Sequence, residues 1–267
     1  MNQNDFQQIA EKARQLPHSS MRYLDYEDVA DYDVAEMSGE LILLLGYHKE
    51  AKCREYHWAA KDAETLAVHL KCKEPVFLTF IPRGWVPTLE AAGFEIRNAW
   101  HDYFLKSLDA IDCSVCDGAE FLAARECAEA SAVTQACRGQ SRGFTGQTPE
   151  WMANWIAGAD AKVKNGAVLV KRAENGAIVG VVCTGTYAQE SEKGPVAWIR
   201  EAAVLPAYRN RGIARGLITQ ALACGKRHGA TRAFLAVDEK NENAICLYTD
   251  LGFRPGGDES QIDMIRR

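Results

Sequence analysis

The sequence predicts an α/β fold, a mixed central sheet flanked by helices, built as two tandem lobes. Three observations predict it. Through the second half, β-rich runs alternate with helical patterns in the order strand, helix, helix, three strands, helix, strand, helix, strand. The first half repeats that cadence with weaker signals. One segment also occurs twice in outline: Leu89-Glu90-Ala91-Ala92-Gly93-Phe94-Glu95-Ile96 and Tyr248-Thr249-Asp250-Leu251-Gly252-Phe253-Arg254-Pro255 each read as a helix closing on Gly-Phe and leading into a strand. At 267 residues, 47% hydrophobic and 25% charged, the chain has the length for two domains and the apolar mass for a sizeable core. We divide it into lobes 1–114 and 115–267.

In the second lobe, Glu120 to Arg125 reads as a short strand and Glu126 to Cys137, rich in alanine, as a helix. Thr148-Pro149-Glu150 is a helix start: a hydroxyl cap, proline at the first helical position and an acid in the first turn. That helix carries Trp151, Met152, Trp155 and Ile156 on one face and stops at Gly158. The β-rich runs 167–170 and 177–182 flank Asn175-Gly176, the dipeptide of a tight hairpin. Pro195 to Val204 is a further strand. From Gly212 to His228, apolar residues recur at helical spacing up to Gly229. Phe234 to Val237 reads as a strand, and Asn243 to Leu251 as a helix ended by Gly252.

In the first lobe, Glu40 to Gly46, Arg54 to Ala60 and Val76 to Phe80 read as strands. Asp62 to Leu70 and Arg83 to Ala92 read as helices, Phe94 to Leu105 as one or two strands, and residues 1 to 20 as a helix plus linker.

The bulk chemistry narrows the function. A net charge of -5 disfavours nucleic acid and anionic membrane surfaces as partners. The longest apolar run, Leu41 to Leu45, is far short of a membrane span, and the polar N-terminus has no signal core. Nine scattered cysteines fit reduced thiols and a cytoplasmic location. Cys113-Ser114-Val115-Cys116 has the spacing of a zinc or redox pair, but no second close pair completes a four-ligand site, and it reads as incidental thiols near a domain junction. Cys53, Cys72, Cys127, Cys137, Cys183, Cys224 and Cys246 read as small apolar residues.

The sharpest chemistry lies between Val204 and Arg215. Pro206 ends a strand, because it has no N–H for the ladder. The helix that follows offers unpaired N–H groups and the positive end of its dipole to an anion. Gly212 and Ala214 leave that backbone uncovered, and Arg209, Arg211 and Arg215 add guanidinium donors. The pattern suits a pyrophosphate. Neither G-x-G-x-x-G nor G-x-x-x-x-G-K-[ST] is present here, so the usual nucleotide loops do not apply.

Arg209-Asn210-Arg211-Gly212-Ile213-Ala214 resembles the acyl-CoA signature [QR]-x-x-G-x-[GA] of the GNAT superfamily of N-acetyltransferases. Asn241-Glu242-Asn243-Ala244-Ile245-Cys246-Leu247-Tyr248-Thr249-Asp250-Leu251-Gly252-Phe253 resembles a second block of that family, N-x-x-A-x-x-L-Y-x-x-x-G-F. The resemblance covers roughly residues 118 to 267. It implies a GNAT-like sheet in which two parallel strands splay apart and the pantetheine arm of acetyl-CoA lies in the gap. Main-chain groups of Ala202, Val204 and Leu205 would meet the arm, the amides of Asn210, Arg211, Gly212, Ile213, Ala214 and Arg215 the pyrophosphate, and Asn241 the cofactor arm. Tyr248 would be the general acid for the departing thiolate, a role suited to a phenol that also fills the core beside Leu247 and Leu251. A main-chain N–H near Val204 would meet the oxyanion.

The base is less defined. Some family members carry a glutamate six residues before the strand-ending valine, and here that position is Trp198. Glu201 is the nearest carboxylate on the strand; it is a candidate base or substrate contact, with water-mediated deprotonation as the alternative. The first lobe lacks the arginine-glycine signature, so it reads as a copy that binds no acetyl-CoA. Its aromatic residues Trp85 and Trp100 to Phe104 are candidate walls for an acceptor pocket.

The expectation is therefore an acetyl-CoA-dependent N-acetyltransferase acting on a primary amine of a small molecule or peptide, by direct attack and without a metal. The chain would act as a two-lobed monomer or a homodimer. The alternatives are an acyl-CoA sensor or scaffold that has lost turnover, and a zinc or redox protein built on Cys113 and Cys116.

Overall fold

The computed structural model describes residues 1–70, 74–257 and 261–267. The chain forms two compact units, Met1–Trp100 with Glu259–Arg267, and His101–Asp258. The boundary read from sequence at 114/115 lies beyond this division and left the C-terminal strand with the second lobe.

The first unit begins with α1 (Gln3–Ala13), a two-residue strand β1 (His18–Ser19) and α2 (Tyr26–Val29). The strands β2 (Asp33–Met37), β3 (Leu41–His48) and β4 (Cys53–Ala60) follow, with β2–β3 and β3–β4 antiparallel. Next come α3 (Ala63–His69), whose start is capped by Asp62 accepting the Thr65 N–H, then β5 (Val76–Ile81) and α4 (Val86–Ala91). The long β6 (Glu95–Leu105) runs on into the second unit. The helix expected over 83–92 begins with a 3-10 turn, and β2 was not anticipated, because its residues are mostly exposed and lack an apolar alternation.

The second unit holds α5 (Cys127–Ala136), α6 (Pro149–Ala157), β7 (Lys164–Arg172), β8 (Ile178–Tyr187) and β9 (Val196–Val204). These are followed by α7 (Ile213–Arg227), β10 (Arg232–Asp238), α8 (Glu242–Asp250) and a short β11 (Arg254–Pro255). The β7–β8 hairpin turns through Ala173–Gly176: the Gly176 N–H meets the Ala173 carbonyl at 2.9 Å, and of the Asn-Gly pair Gly176 alone is left-handed, φ +85. Residues 120–125 form no strand. Phe121 makes a single bridge to Leu169, and the segment then coils into a 3-10 turn at Ala124–Glu126. One face of this sheet packs on α7 through Leu217, Ile218, Ala221 and Leu222, the other on α5 and α6 through Ala130, Val133, Met152 and Trp155. A Cβ on Gly180 of β8 would lie 2.7 Å from Ile213, so glycine there lets the head of α7 sit directly on the sheet.

The C-terminal β12 (Gln261–Arg266) returns to the first unit and lies antiparallel between β5 and β6. Buried Asp263 pins it there, accepting from Thr79 Oγ1 and Asn98 Nδ2, both at 2.7 Å. The first unit thus has the order β2-β3-β4-β5-β12-β6, and the second β6-β10-β9-β8-β7. In each, an antiparallel series leads into one parallel neighbour pair, β4–β5 and β9–β10. The duplicated helix-Gly-Phe-strand segment falls in the corresponding place of both units.

The cysteine reading needs correction. Cys116 and Cys224 form a disulfide that ties the 3-10 segment Cys113–Gly118 to α7. Both are buried side by side, so Cys224 is more than a small apolar residue and Cys116 is not half of a pair with Cys113. Cys53, Cys127, Cys137 and Cys183 are buried thiols as expected, Cys246 is exposed, and Cys72 lies outside the described residues. Among the described residues no helix is long and apolar enough to cross a membrane.

The first unit also carries an acid-sensitive group. His57 on β4 is 7% exposed, packs on the Tyr32 ring, and its Nδ1 has no hydrogen-bond partner among the described residues. Burial pushes its imidazole down from 6.5 to about 4. The unfolded chain therefore takes up this proton more readily than the folded one. Stability is whole above 6.5 and falls as the pH drops toward 4, by about 2–3 kcal/mol from this group. Urea unfolding across that window should show this slope, and His57→Leu should flatten it.

Candidate active site

The candidate site grows out of the way β9 leaves its parallel neighbour. Arg232, Ala233 and Phe234 of β10 pair with Val196, Ala197 and Trp198 of β9, and there the pairing ends. Beyond Trp198 and Phe234 the two strands part, while β9 stays paired with β8 as far as Val204. The register along β8 fixes what β9 shows to the gap. Leu205 donates its N–H to the Val179 carbonyl, so in an antiparallel ladder Leu205, Ala203 and Glu201 bond toward β8. Ala202 and Val204 alternate with them, and their main-chain groups face the gap. Their N–H groups have no partner among the described residues.

Other main-chain groups expected at the cofactor arm are already engaged. The Ala202 carbonyl accepts from Gln140 Nε2 at 3.0 Å, and the Val204 carbonyl from Arg209 Nε at 3.0 Å and the Cys137 thiol at 3.3 Å. Leu205 uses its N–H on Val179 and its carbonyl on the Tyr208 N–H. Of the three residues expected to meet the arm, Ala202 and Val204 present free donors and Leu205 presents none.

After β9 the chain turns through a 3-10 segment, Pro206–Tyr208, and reaches the head of α7. Asn210 (φ +59) and Gly212 (φ +75) are both left-handed, with Arg211 between them. Gly212 is the N-cap of α7 and provides no side-chain cap, so the first-turn N–H groups of Ile213, Ala214 and Arg215 have no partner in the helix or at its cap. A Cβ built on Gly212 or Gly216 meets nothing within 4 Å. The result is an open, uncapped cradle of donors at a positive dipole end.

The three arginines of this segment are less available than the sequence suggests. Arg209 folds back on Val204, Arg211 donates to the Ala207 carbonyl at 3.0 Å and lies over the Tyr208 ring, and Arg215 pairs with Asp250 at 2.9 Å. They shape the loop and surround it with positive charge, while main-chain N–H groups form the cradle itself. Asn241 caps α8, accepting the Ala244 N–H at 3.3 Å.

A β-bulge at Arg200 sets which face of β9 carries Glu201, one of the two catalytic candidates. The register skips from Cys183↔Glu201 to Thr184↔Ile199, so Arg200 is the extra residue. Before the bulge Ala197 and Ile199 pack toward α7. After it the alternation is shifted, and Glu201 shares a face with Trp198, toward α5 and α6. Glu201 is 8% exposed; its Oε2 accepts from Gln147 Nε2 at 3.0 Å and lies 3.6 Å from Arg200. Tyr248 on α8 is half-buried against the α7 cluster, and its hydroxyl has no hydrogen-bond partner among the described residues. Burial, with the Glu201 charge adding to it, pushes its phenol up to about 12. The two candidates are thus within electrostatic reach of each other, as no sequence spacing could establish.

The loop between α5 and α6 was not singled out from the sequence, yet it reaches both parted strands. Gln140 meets Ala202, Gln147 meets Glu201, and Arg142 binds buried Asp238 at 3.0 Å and Glu239 at 3.2 Å at the end of β10. His101 lies 3.6 Å from the same Glu239. Polar residues scattered in a loop carry no period, so only the fold reveals this convergence.

The first unit has the same parting of strands with a different occupant. Arg54, Glu55 and Tyr56 of β4 pair with Val76, Phe77 and Leu78 of β5, and there that pairing ends. Because β3 covers one edge of β4 from Cys53 to Ala60, the other edge is where β1 docks, His18 on Ala60 and Ser19 on Ala59. Ser20 Oγ accepts the Trp58 N–H at 2.8 Å and donates to its carbonyl at 3.2 Å. The Trp58 indole donates to the Thr79 carbonyl at 3.0 Å, with Trp85 against its ring and His18 against Trp85. A segment of the chain itself fills the gap.

A parallel pair that parts beside an uncapped helix head is the frame of an acetyltransferase fold, and the chain has the GNAT N-acetyltransferase fold in a two-lobed arrangement. Residues 130–253 match the Acetyltransferase (GNAT) family. Over 80 residues the chain is 40% identical to an uncharacterized N-acetyltransferase of Methanocaldococcus jannaschii, covering 30% of this chain and 35% of that protein. Over 89 residues it is 37% identical to a mycothiol acetyltransferase of Thermobispora bispora, covering 33% and 30%. The matches thus span about a third of these relatives' length. Among solved structures, a GCN5-related N-acetyltransferase from Sphaerobacter thermophilus aligns with TM-score 0.56 at 15% identity, covering 91% of this chain and 86% of that one. A tandem GNAT protein from the clavulanic acid biosynthesis pathway aligns with TM-score 0.53 at 14% identity, covering 86% and 80%. These two show the fold alone.

Proposed function

We propose that the second unit is an acetyl-CoA-dependent N-acetyltransferase that acetylates a primary amine by direct attack. The observation that carries this reading is the opening between β9 and β10, with the Ala202 and Val204 N–H groups turned into it and the open head of α7 at its end. The N–H groups from Asn210 to Arg215 would hold the pyrophosphate, and those of Ala202 and Val204 the pantetheine arm and the developing oxyanion. Bound there, acetyl-CoA supplies an activated thioester. Glu201, directly or through water, takes a proton from the amine as nitrogen bonds to the carbonyl carbon. Tyr248 gives its proton to sulfur as the carbon–sulfur bond breaks. Asn241 acts through its cap on α8, which carries Tyr248.

The first unit would bind no acetyl-CoA, because β1 and Trp58 take the space that an extended arm would need. Calorimetry should therefore find one acetyl-CoA per chain. Thiol release from acetyl-CoA, followed with a panel of amines, tests the reading as a whole. Amine-stimulated release is the expected result. CoA binding with no stimulated release by any amine would make the protein a sensor, and no CoA binding would end the proposal.

A further inference from the structure

We infer that Arg200 is an anion clamp that selects acceptors carrying a carboxylate beside the reacting amine. This rests on the proposed acetyl transfer and names its substrate class. Arg200 is the bulged residue of β9, next to Glu201 and at the level where β9 and β10 part. Its guanidinium lies over two indoles, 5.4 Å from the Trp198 ring centroid and 5.8 Å from that of Trp151. The two rings support the guanidinium from below, and its N–H groups make no hydrogen bond among the described residues. Its side chain is 38% exposed, and its one polar neighbour among the described residues is the Glu201 carboxylate, 3.6 Å away and beyond hydrogen-bond range.

That freedom sets it apart from other arginines of the unit. Arg142, Arg172, Arg209, Arg211 and Arg215 each donate to a carboxylate or a carbonyl. A guanidinium held in place with its donors unspent is suited to a bidentate anion from outside. Glu201, fixed by Gln147 on the same face as Trp198, places a negative charge beside that positive one. The pair is complementary to an ammonium and a carboxylate a few atoms apart on one molecule, as in an amino acid. In that pose the ammonium is delivered to Glu201, the candidate base, and the carboxylate to Arg200.

The test compares amino acids, their carboxamides and the corresponding decarboxylated amines as acceptors. The native protein should favour the acids by roughly tenfold or more in kcat/KM. Arg200→Met keeps an apolar arm on the indoles and removes the charge. It should raise KM for the acids roughly 10–100-fold and erase the preference, with KM for acetyl-CoA unchanged. Arg200→Lys should restore part of the preference, since it returns the charge without the fork. Equal use of all three acceptor types, or a preference that survives Arg200→Met, would overturn the inference. Calorimetric titration of amino acid into the CoA complex reads the clamp without turnover: acids bind, carboxamides do not, and Arg200→Met abolishes the difference. Failure of acids to bind better than carboxamides overturns the clamp, whereas failure of CoA to bind overturns the acetyltransferase reading beneath it.

Discussion

Gly212→Val is expected to raise the dissociation constant for CoA by about two orders of magnitude, roughly 2.7 kcal/mol, with the fold retained. Two effects combine. At φ +75 a β-branched residue is strained, so the head of α7 shifts or frays. The added side chain would also stand where the proposed diphosphate approaches the first-turn N–H groups. The fold should survive, because a Cβ at Gly212 meets no atom within 4 Å and the second unit's core lies elsewhere. Isothermal titration with CoA and far-UV circular dichroism on the same samples make the comparison. Gly212→Asn separates the causes, since asparagine tolerates the left-handed conformation but keeps the bulk. If Gly212→Asn binds CoA like the native protein, close backbone approach is not what the site depends on.

That cradle was legible in the sequence because its physics is local. A proline that stops a strand, a glycine that caps without a side chain, and a helix head are all read within ten or so residues. The β7–β8 hairpin, the Thr148 cap of α6 and the Asp62 cap of α3 were legible for the same reason. What the sequence concealed is set by register and return of the chain. The bulge at Arg200 changes which face Glu201 occupies, and no residue type announces a bulge. The disulfide joins positions separated by 108 residues, and nothing in their spacing pairs Cys116 with Cys224 rather than with Cys113. The two-residue β1 is too short to carry a period, yet it decides what fills the gap beside β4. The arginines show a subtler limit. Their charge was evident, but that Arg209, Arg211 and Arg215 spend donors on the protein while Arg200 does not follows from tertiary geometry alone.

Tyr248→Phe is expected to lower kcat by about 10²-fold while leaving CoA affinity within about a factor of two. The asymmetry follows from where the hydroxyl sits. The ring packs with the α7 cluster and lies 6.2 Å from the Phe253 ring, and phenylalanine preserves both contacts. The hydroxyl has no protein partner to lose among the described residues, so its removal leaves no orphaned group and little cost in stability. On the proposed mechanism, what disappears is the proton donor for the departing sulfur. Burial and the Glu201 charge both favour the neutral phenol, so Tyr248 keeps its proton until the pH approaches about 12. The sign has a consequence for the pH profile. Any fall in rate on the alkaline side below that value comes from another group, and the Phe variant should keep the native shape at a lower level. Glu201→Gln should behave in the opposite way. It removes the carboxylate proposed to take the amine proton, so the acid limb of kcat/KM should shift or vanish if Glu201 acts directly, and persist if water carries the proton. Single-turnover rates with saturating acetyl-CoA distinguish the two variants. A Tyr248→Phe enzyme at full native kcat would remove the phenol from the mechanism and leave solvent as the proton source for the thiolate.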